Sequence, residues 1–224
     1  FGEAMTLRTL RQRLGYSIES FGFVLSWSRF AYAKTWLTAG VITDTVLCTG
    51  DLLRIPFADN SIDVVYTSHS IEPNGGSELL ILGELYRVAR RYLVMVEPSY
   101  ELAHESARKR MESHGYCRDL VKHAHTLGFE VLEHTAFPVL LNSENPAAVT
   151  IIKKDVQCEP PESGLACPIF KLPLIEEAGA LYSPEALSVY PIVGGIPCLR
   201  DTNAILASKY LNWALGNIQV PHRK

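Results

Sequence analysis

A chain of 224 residues, 47% of them hydrophobic, is long enough to bury one substantial core and a small appendage. Its net charge of −3 excludes a general electrostatic drive toward nucleic acid or an anionic membrane. The five cysteines (Cys48, Cys117, Cys158, Cys167, Cys198) are odd in number and irregular in spacing, so no disulfide framework is implied. With no secretory leader pattern and no apolar run of about 18 residues, a protein of a reducing compartment, the cytoplasm, is expected. The chain begins at Phe1 rather than Met, and residues upstream of it are expected.

Leu7, Leu10 and Leu14 keep helical spacing, so residues 4–14 read as a helix closed by Gly15. Residues 18–24 follow as a strand. Ser26 or Ser28 can cap a second helix that turns Phe30, Ala33, Trp36 and Leu37 inward and stops at Gly40. Residues 45–48 and 62–67 read as strands, the second bounded by the Asn60-Ser61 turn and the Pro73-Asn74-Gly75-Gly76 loop. Leu79, Leu82, Leu85 and Tyr86 mark a helix. The apolar run at 92–97 reads as a central strand covered on both faces. Residues 101–127 read as two helical pieces broken near His114-Gly115, and 129–135 and 149–153 as two more strands.

Strands alternating with helices predict an α/β, doubly wound, mostly parallel sheet over residues 1–154, whose ligands bind beyond the carboxyl ends of the strands. Residues 155–164, rich in proline and acid, read as a linker. Residues 165–224 read as a small β-rich unit ending in a helix over 203–215.

Gly50, Asp51, Pro56, Phe57, Asp59 and Asp63 fix two acids and a Pro-Phe pair in one register ahead of a strand. This segment resembles the "GDxxxLPFxDxSFDVV" stretch of class I S-adenosylmethionine-dependent methyltransferases, and the resemblance covers about residues 1–154. It implies a Rossmann-like methyltransferase sheet, S-adenosylmethionine as cofactor, and cofactor contacts at Gly2, Glu3, Phe23, Asp51, Leu52 and Ser68. Asp51 stands where the family holds the adenine amino group; Asp59 and Asp63 are expected to shape the turn. The family's first strand and most of its glycine loop are expected upstream of Phe1. Val24 stands where the family carries the acid that binds the ribose hydroxyls, with Ser26 as a weak substitute.

His69, just past a strand end, is a candidate general base or pocket residue. Glu72, Glu97 and Tyr100 are candidate substrate contacts at or just beyond strand ends. His104, His114, His123 and His125 form no metal-ligand pattern. Arg108-Lys109-Arg110, interleaved with Glu105 and Glu112, reads as a solvated helix face.

Tyr190-Pro191-Ile192-Val193-Gly194-Gly195-Ile196-Pro197, with Cys167 upstream, resembles the zinc-ribbon activator subunit of tRNA and translation-factor methyltransferases. Cys167 keeps one ligand position, while Phe170, Ser183 and Ala186 occupy the other three, so no zinc and no other metal is expected. The resemblance implies a metal-free ribbon held by Phe170, Leu172, Leu174, Tyr190, Ile192 and Ile196. Such a module would pack within the chain or support a homodimer.

Two functions follow as expectations. One is methyl transfer to an O or N acceptor of small-molecule or glycan-like kind; the other is a methyltransferase-like pseudoenzyme serving as a binding or scaffold module. A dinucleotide oxidoreductase would want a Gly-x-Gly-x-x-Gly turn and a ribose acid, and the sequence has neither.

Overall fold

The computed structural model describes residues 4–14, 18–39, 44–139, 142–161 and 164–209. They fall into two compact units, Phe1–Ala58 with Leu165–Lys224, and Asp59–Gly164. This division regroups the expected partition, because the C-terminal residues cluster with the N-terminal ones.

In the first unit, helix α1 (Met5–Leu14) precedes strand β1 (Ser20–Val24), helix α2 (Trp27–Ala39) and strand β2 (Thr45–Thr49). The Ser26 hydroxyl accepts from the Arg29 amide at 3.5 Å, the bond that opens α2, so Ser26 is a helix cap. β1 and β2 pair in parallel, from Ser20 opposite Thr45 to Val24 opposite Thr49. Phe30, Ala33 and Leu37 form a core with Ala4, Leu7, Leu47 and Ile196, against which Phe23 and Val24 pack. Trp36, expected inward, is not in it, and neither are Leu10 and Leu14 of the α1 spacing. Trp36 lies to the side of the 30/33/37 stripe, its ring under the Arg8 guanidinium at 4.3 Å, and Leu14 is exposed. The inward position near the end of α1 belongs instead to Arg11, which is buried and donates to the Ser20 hydroxyl at 2.9 Å and to the Asp44 carboxylate at 3.3 Å.

The C-terminal part of this unit holds β7 (Ile175–Glu177), β8 (Ala180–Ser183), β9 (Ser188–Val193), β10 (Ile196–Pro197) and β11 (Ile205–Leu206). These form one antiparallel sheet in the order β10-β9-β8-β7, with β11 also on β9. The two-residue β9–β10 turn puts Gly194 and Gly195 at φ 60° and 70°, the left-handed pair that a tight hairpin demands. That turn lies on α2: Trp27 Nε1 donates to the Val193 carbonyl at 3.1 Å, and Lys34 Nζ to the Gly194 carbonyl at 3.1 Å. Tyr190 and Ile196 are buried as expected, whereas Phe170 and Leu172 are exposed; the sheet's inward face is built from β8 and β9, and neither residue lies on them. The helix expected at 203–215 does not begin at Asn203: 201–203 and 207–209 are 3₁₀ turns around β11, and 210–215 lie outside the described residues.

The second unit holds β3 (Ile62–Ser68), α3 (Glu78–Val88), β4 (Ala89–Pro98), α4 (Glu105–Ser113), α5 (Leu120–Thr126), β5 (Glu130–Ala136) and β6 (Ala147–Lys153). Its sheet has the order β3-β4-β6-β5. β3 and β4 are parallel, but β6 is antiparallel to both β4 and β5. The expectation of a mostly parallel sheet is therefore corrected to a mixed one. Ten residues separate β5 from β6, fewer than the roughly dozen that a parallel crossover needs, so β6 returns antiparallel. α3 buries Ile81, Leu82, Leu85 and Val88 and leaves Leu79 exposed, because the inward stripe is centred one position later than expected. Asp59 pairs with Arg87 at 2.8 Å and Asp63 with Arg90 Nε at 2.6 Å, so both acids brace the turn into β3.

Candidate functional site

Parallel strands deliver their following loops to one end of a sheet, where ligands of such folds bind. In the first unit the loop after β2 begins at Gly50. A Cβ there would meet the Pro56 ring at 2.9 Å and Phe23 at 3.1 Å, so the close approach of those side chains requires glycine. Pro56 and Phe57 are buried, and the Phe57 ring meets Phe21 and Phe23 edge-on at 5.8 and 6.0 Å. Asp51 is half-buried next to this corner. Its Oδ1 accepts from the Leu53 amide at 2.9 Å and its carbonyl from the Arg54 amide at 3.1 Å. This Asx turn aims the carboxylate and engages one of its oxygens. Among the described residues Oδ2 has no hydrogen-bond partner. Leu52 is half-buried beside it. Gly2 and Glu3 lie outside the described residues.

The donor set fits one end of an adenosyl cofactor and not the other. An unengaged carboxylate oxygen at Asp51 suits an exocyclic amine. Val24 packs against the apolar core, and Ser26 is used as the cap of α2, so neither supplies the acid expected for ribose hydroxyls.

In the second unit β3 ends at Ser68, opposite Val96 of β4. The His69 amide donates to the Val96 carbonyl at 3.0 Å, and His69 takes the left-handed conformation at φ 48°. A non-glycine residue is held there only when its surroundings impose it. The imposing group is Glu97, 3% exposed, whose carboxylate accepts from the Ser70 amide at 3.0 and 3.1 Å and from the Ile71 amide at 3.1 Å. Burial pushes the Glu97 carboxyl above its ordinary range against the pull of those amides. Glu97 therefore faces the interior and shapes the loop.

His69 itself is partly exposed, and its Nδ1 lies 3.0 Å from Glu72 Oε2. Hydrogen bonding to Glu72 raises the imidazole pKa; partial burial opposes this, and the charges of Glu72 and Glu97 add to the rise. For Glu72, burial raises the pKa, yet the bonds from His69 and Asn145 and the charge of Arg110 carry it below its ordinary value. The loop is closed from behind by the Cys117 amide, which donates to the Glu72 carbonyl at 2.8 Å.

Tyr100 donates to Glu112 at 2.5 Å, and its ring is flanked by the guanidiniums of Arg108 and Arg118 at 5.4 and 5.7 Å. Lys109 is the solvated, ion-paired residue expected, bonded to Glu105 at 2.6 Å. Arg110 is not: it is half-buried and donates to the Asn145 side-chain oxygen at 3.2 Å. A further polar tie joins the loop after β4 to β5 and β6, with His134 Nε2 at 3.3 Å from the Ser99 hydroxyl and Nδ1 at 2.9 Å from that of Thr150. Ser99 is buried and its hydroxyl also donates to Glu101 at 2.9 Å, so this tie is structural. An open depression of about 710 Å³ over Asp119, Lys122, His125 and His134 includes none of the expected site residues. It is a broad, open depression rather than an enclosed cleft, and we do not place the site there.

Sequence reasoning missed Arg110, Asn145 and His134. Each acts through a partner at least 16 positions away, which no local pattern reports. Among the described residues no group of three or more His, Cys, Asp or Glu is placed to hold a metal ion, and no helix is long and apolar enough to cross a membrane.

No protein-family model matches the chain, and neither does any curated protein. Solved structures do. An S-adenosylmethionine-dependent methyltransferase from Methanosarcina mazei superposes with TM-score 0.55 at 16% identity, over 70% of this chain and 90% of that one. The complex of the Haloferax volcanii Trm112 methyltransferase activator with a candidate methyltransferase gives TM-score 0.55 at 16% identity, over 70% and 80%. Magnesium protoporphyrin IX methyltransferase from Synechocystis, solved with bound S-adenosylhomocysteine, gives 0.53 at 12% identity, over 68% and 70%. These likenesses establish the fold: a mixed-sheet, Rossmann-like architecture shared with class I S-adenosylmethionine-dependent methyltransferases.

Proposed function

We propose that the protein transfers a methyl group from S-adenosylmethionine to an O or N acceptor of small-molecule or glycan-like kind. The observation that carries this reading is Asp51, held by its Asx turn at the end of β2 with one carboxylate oxygen unengaged, in a fold shared with methyltransferases. Asp51 would accept from the adenine amine, with Phe23 and Leu52 as its apolar neighbours within the first unit. When bound, the cofactor supplies an electrophilic methyl on a sulfonium. The chain's part is to position and to exclude water, which supplies most of what such a displacement needs. His69 takes the acceptor's proton at Nε2, the ring nitrogen that Glu72 leaves free. Tyr100 and Glu72 border the acceptor, and Glu97 supports the loop that carries His69.

Residues 165–224 serve as a metal-free counterpart of the activator ribbon. What supports this is the Tyr190-to-Pro197 motif, folded as a hairpin and seated on α2 through Val193 and Gly194. The same hairpin would give a homodimer its support if two copies associate.

Val24 favours a second reading, a methyltransferase-like binding module, because an apolar residue there removes the ribose acceptor. Thermal unfolding with and without millimolar S-adenosylhomocysteine separates the two. Binding with a dissociation constant a hundredfold below the ligand concentration adds about 2.7 kcal/mol, a rise of several degrees in Tm. A rise with S-adenosylhomocysteine and none with methionine is expected. An unchanged Tm at millimolar S-adenosylhomocysteine rejects the enzyme reading in favour of the binding module.

A further inference from the structure

We propose that Arg110, Asn145 and Glu72 form a positioning relay that holds His69 with its proton on Nδ1 and its Nε2 lone pair presented outward. The inference rests on the base reading for its use, but its geometry stands within the second unit alone.

The relay is fixed by what each group can and cannot donate. A guanidinium only donates, and Arg110 Nη1 lies 3.2 Å from Asn145 Oδ1 and 3.3 Å from the Glu144 carbonyl. Asn145 must therefore turn its oxygen toward Arg110. Its amide nitrogen is left on the other side, where Nδ2 lies 3.4 Å from Glu72 Oε2. That nitrogen can only donate, so Oε2 accepts. A carboxylate that accepts from Asn145 and lies 3.0 Å from His69 Nδ1 accepts there too, which puts the imidazole proton on Nδ1. Reversing the Asn145 amide would oppose NH₂ to the guanidinium and oxygen to the carboxylate, two repulsions in place of two bonds.

Three separate segments supply the parts: the loop after β3 carries His69 and Glu72, α4 carries Arg110, and the loop before β6 carries Asn145. Arg110 is held in turn over the Tyr116 ring at 5.5 Å, which stacks on His114 at 5.4 Å. The left-handed backbone at His69 is part of the same device, because the bonds from Ser70 and Ile71 to Glu97 fix the turn that brings Nδ1 over Glu72. The charged groups acting on His69 are Glu72 from its own loop and Glu97 from β4, and Arg110 from α4 acts on Glu72. The bonds from His69 and Asn145, with a smaller share from the charge of Arg110, favour anionic Glu72, and anionic Glu72 is what holds the proton on Nδ1.

The test is a long-range ¹H–¹⁵N correlation of the histidine side chains in the full chain, titrated through neutral pH, with His69→Gln to assign the signals. Neutral His69 is expected as the Nδ1–H tautomer. Glu72→Gln should give a mixture of tautomers with the midpoint moved to lower pH, and Arg110→Met the same change to a smaller extent. If Glu72→Gln fails to fold, Asn145→Ala takes its place, with the same expected change. An Nε2–H tautomer in the native protein, or a tautomer and midpoint unmoved in folded variants, overturns the relay. No cofactor enters this measurement, so a protein with the relay intact and no methyl transfer would reject the proposed reaction and leave the relay standing.

Discussion

The carboxylate of Glu97 accepts the backbone amide of Ser70, at 3.0 and 3.1 Å, from inside the second unit. A candidate substrate contact thus becomes the support of the loop that carries the candidate base. Glu97→Ala would leave the Ser70 and Ile71 amides without their acceptor, at about 1–3 kcal/mol for each one kept from water. Urea unfolding should show a lowered midpoint with an unchanged slope, and Glu97→Gln a smaller loss than Glu97→Ala. Equal stability of all three proteins would show that the bonds to Glu97 do not hold the loop.

The His69–Glu72 pair makes stability depend on pH with a definite sign. His69 has its pKa raised by the bond to Glu72, so its contribution is complete below its ordinary value, about 6.5, and is lost as pH rises through the raised one. Glu72 has a lowered pKa, so its contribution is complete above its ordinary value and is lost as pH falls through the lowered one. The difference in stability between native and Glu72→Gln proteins should be largest between those limits and shrink on both sides. Partial exposure keeps it to about 1 kcal/mol or less. A difference that grows steadily above neutral pH would reverse the assigned sign.

Gly75 makes a third prediction about the same loop. Its amide donates to the Gly115 carbonyl at 3.2 Å, and a Cβ on Gly75 would overlap that carbonyl oxygen. Both partners are backbone, so neither can step aside by changing rotamer. Gly75→Ala should cost about 1–3 kcal/mol in urea unfolding, and Gly76→Ala, strained only by its φ of 88°, about 1 kcal/mol. The reverse order would contradict the packing described at Gly75.

How much of this was legible in the sequence depended on how far apart the interacting residues lie. Phe30, Ala33 and Leu37 announced α2 by spacing, a signal local to one helix. Arg11 in the core, Trp36 beside it and Ile196 within it were not legible, because each is settled by a partner from another element. The mixed sheet was legible only in the short β5–β6 connection, since β6 itself has the apolar residues of either kind of strand. At the candidate site His69 and Asp51 could be found by their places after strands. Arg110 and Asn145 could not, since their roles exist only once α4 and the β5–β6 loop meet.

Metal removal should change nothing in the C-terminal sheet. Cys167 is buried with its sulfur 3.7 Å from the Tyr190 hydroxyl, while Phe170 is exposed and Ser183 sits in β8. One thiolate cannot supply a tetrahedral site. Exhaustive chelation is expected to leave the Tm within error of the untreated protein. A fall of several degrees, recovered by adding zinc, would mean that a ligand set exists beyond Cys167.

The central claim is that Asp51 binds an adenosyl cofactor, and calorimetric titration of S-adenosylhomocysteine into native and Asp51→Ala proteins tests it most directly. Loss of a hydrogen bond to a charged group costs about 1.5–3 kcal/mol, so the dissociation constant should rise roughly ten- to more than a hundredfold in the variant. Equal affinity of the two proteins, or no heat of binding to the native protein at millimolar ligand, would contradict the account.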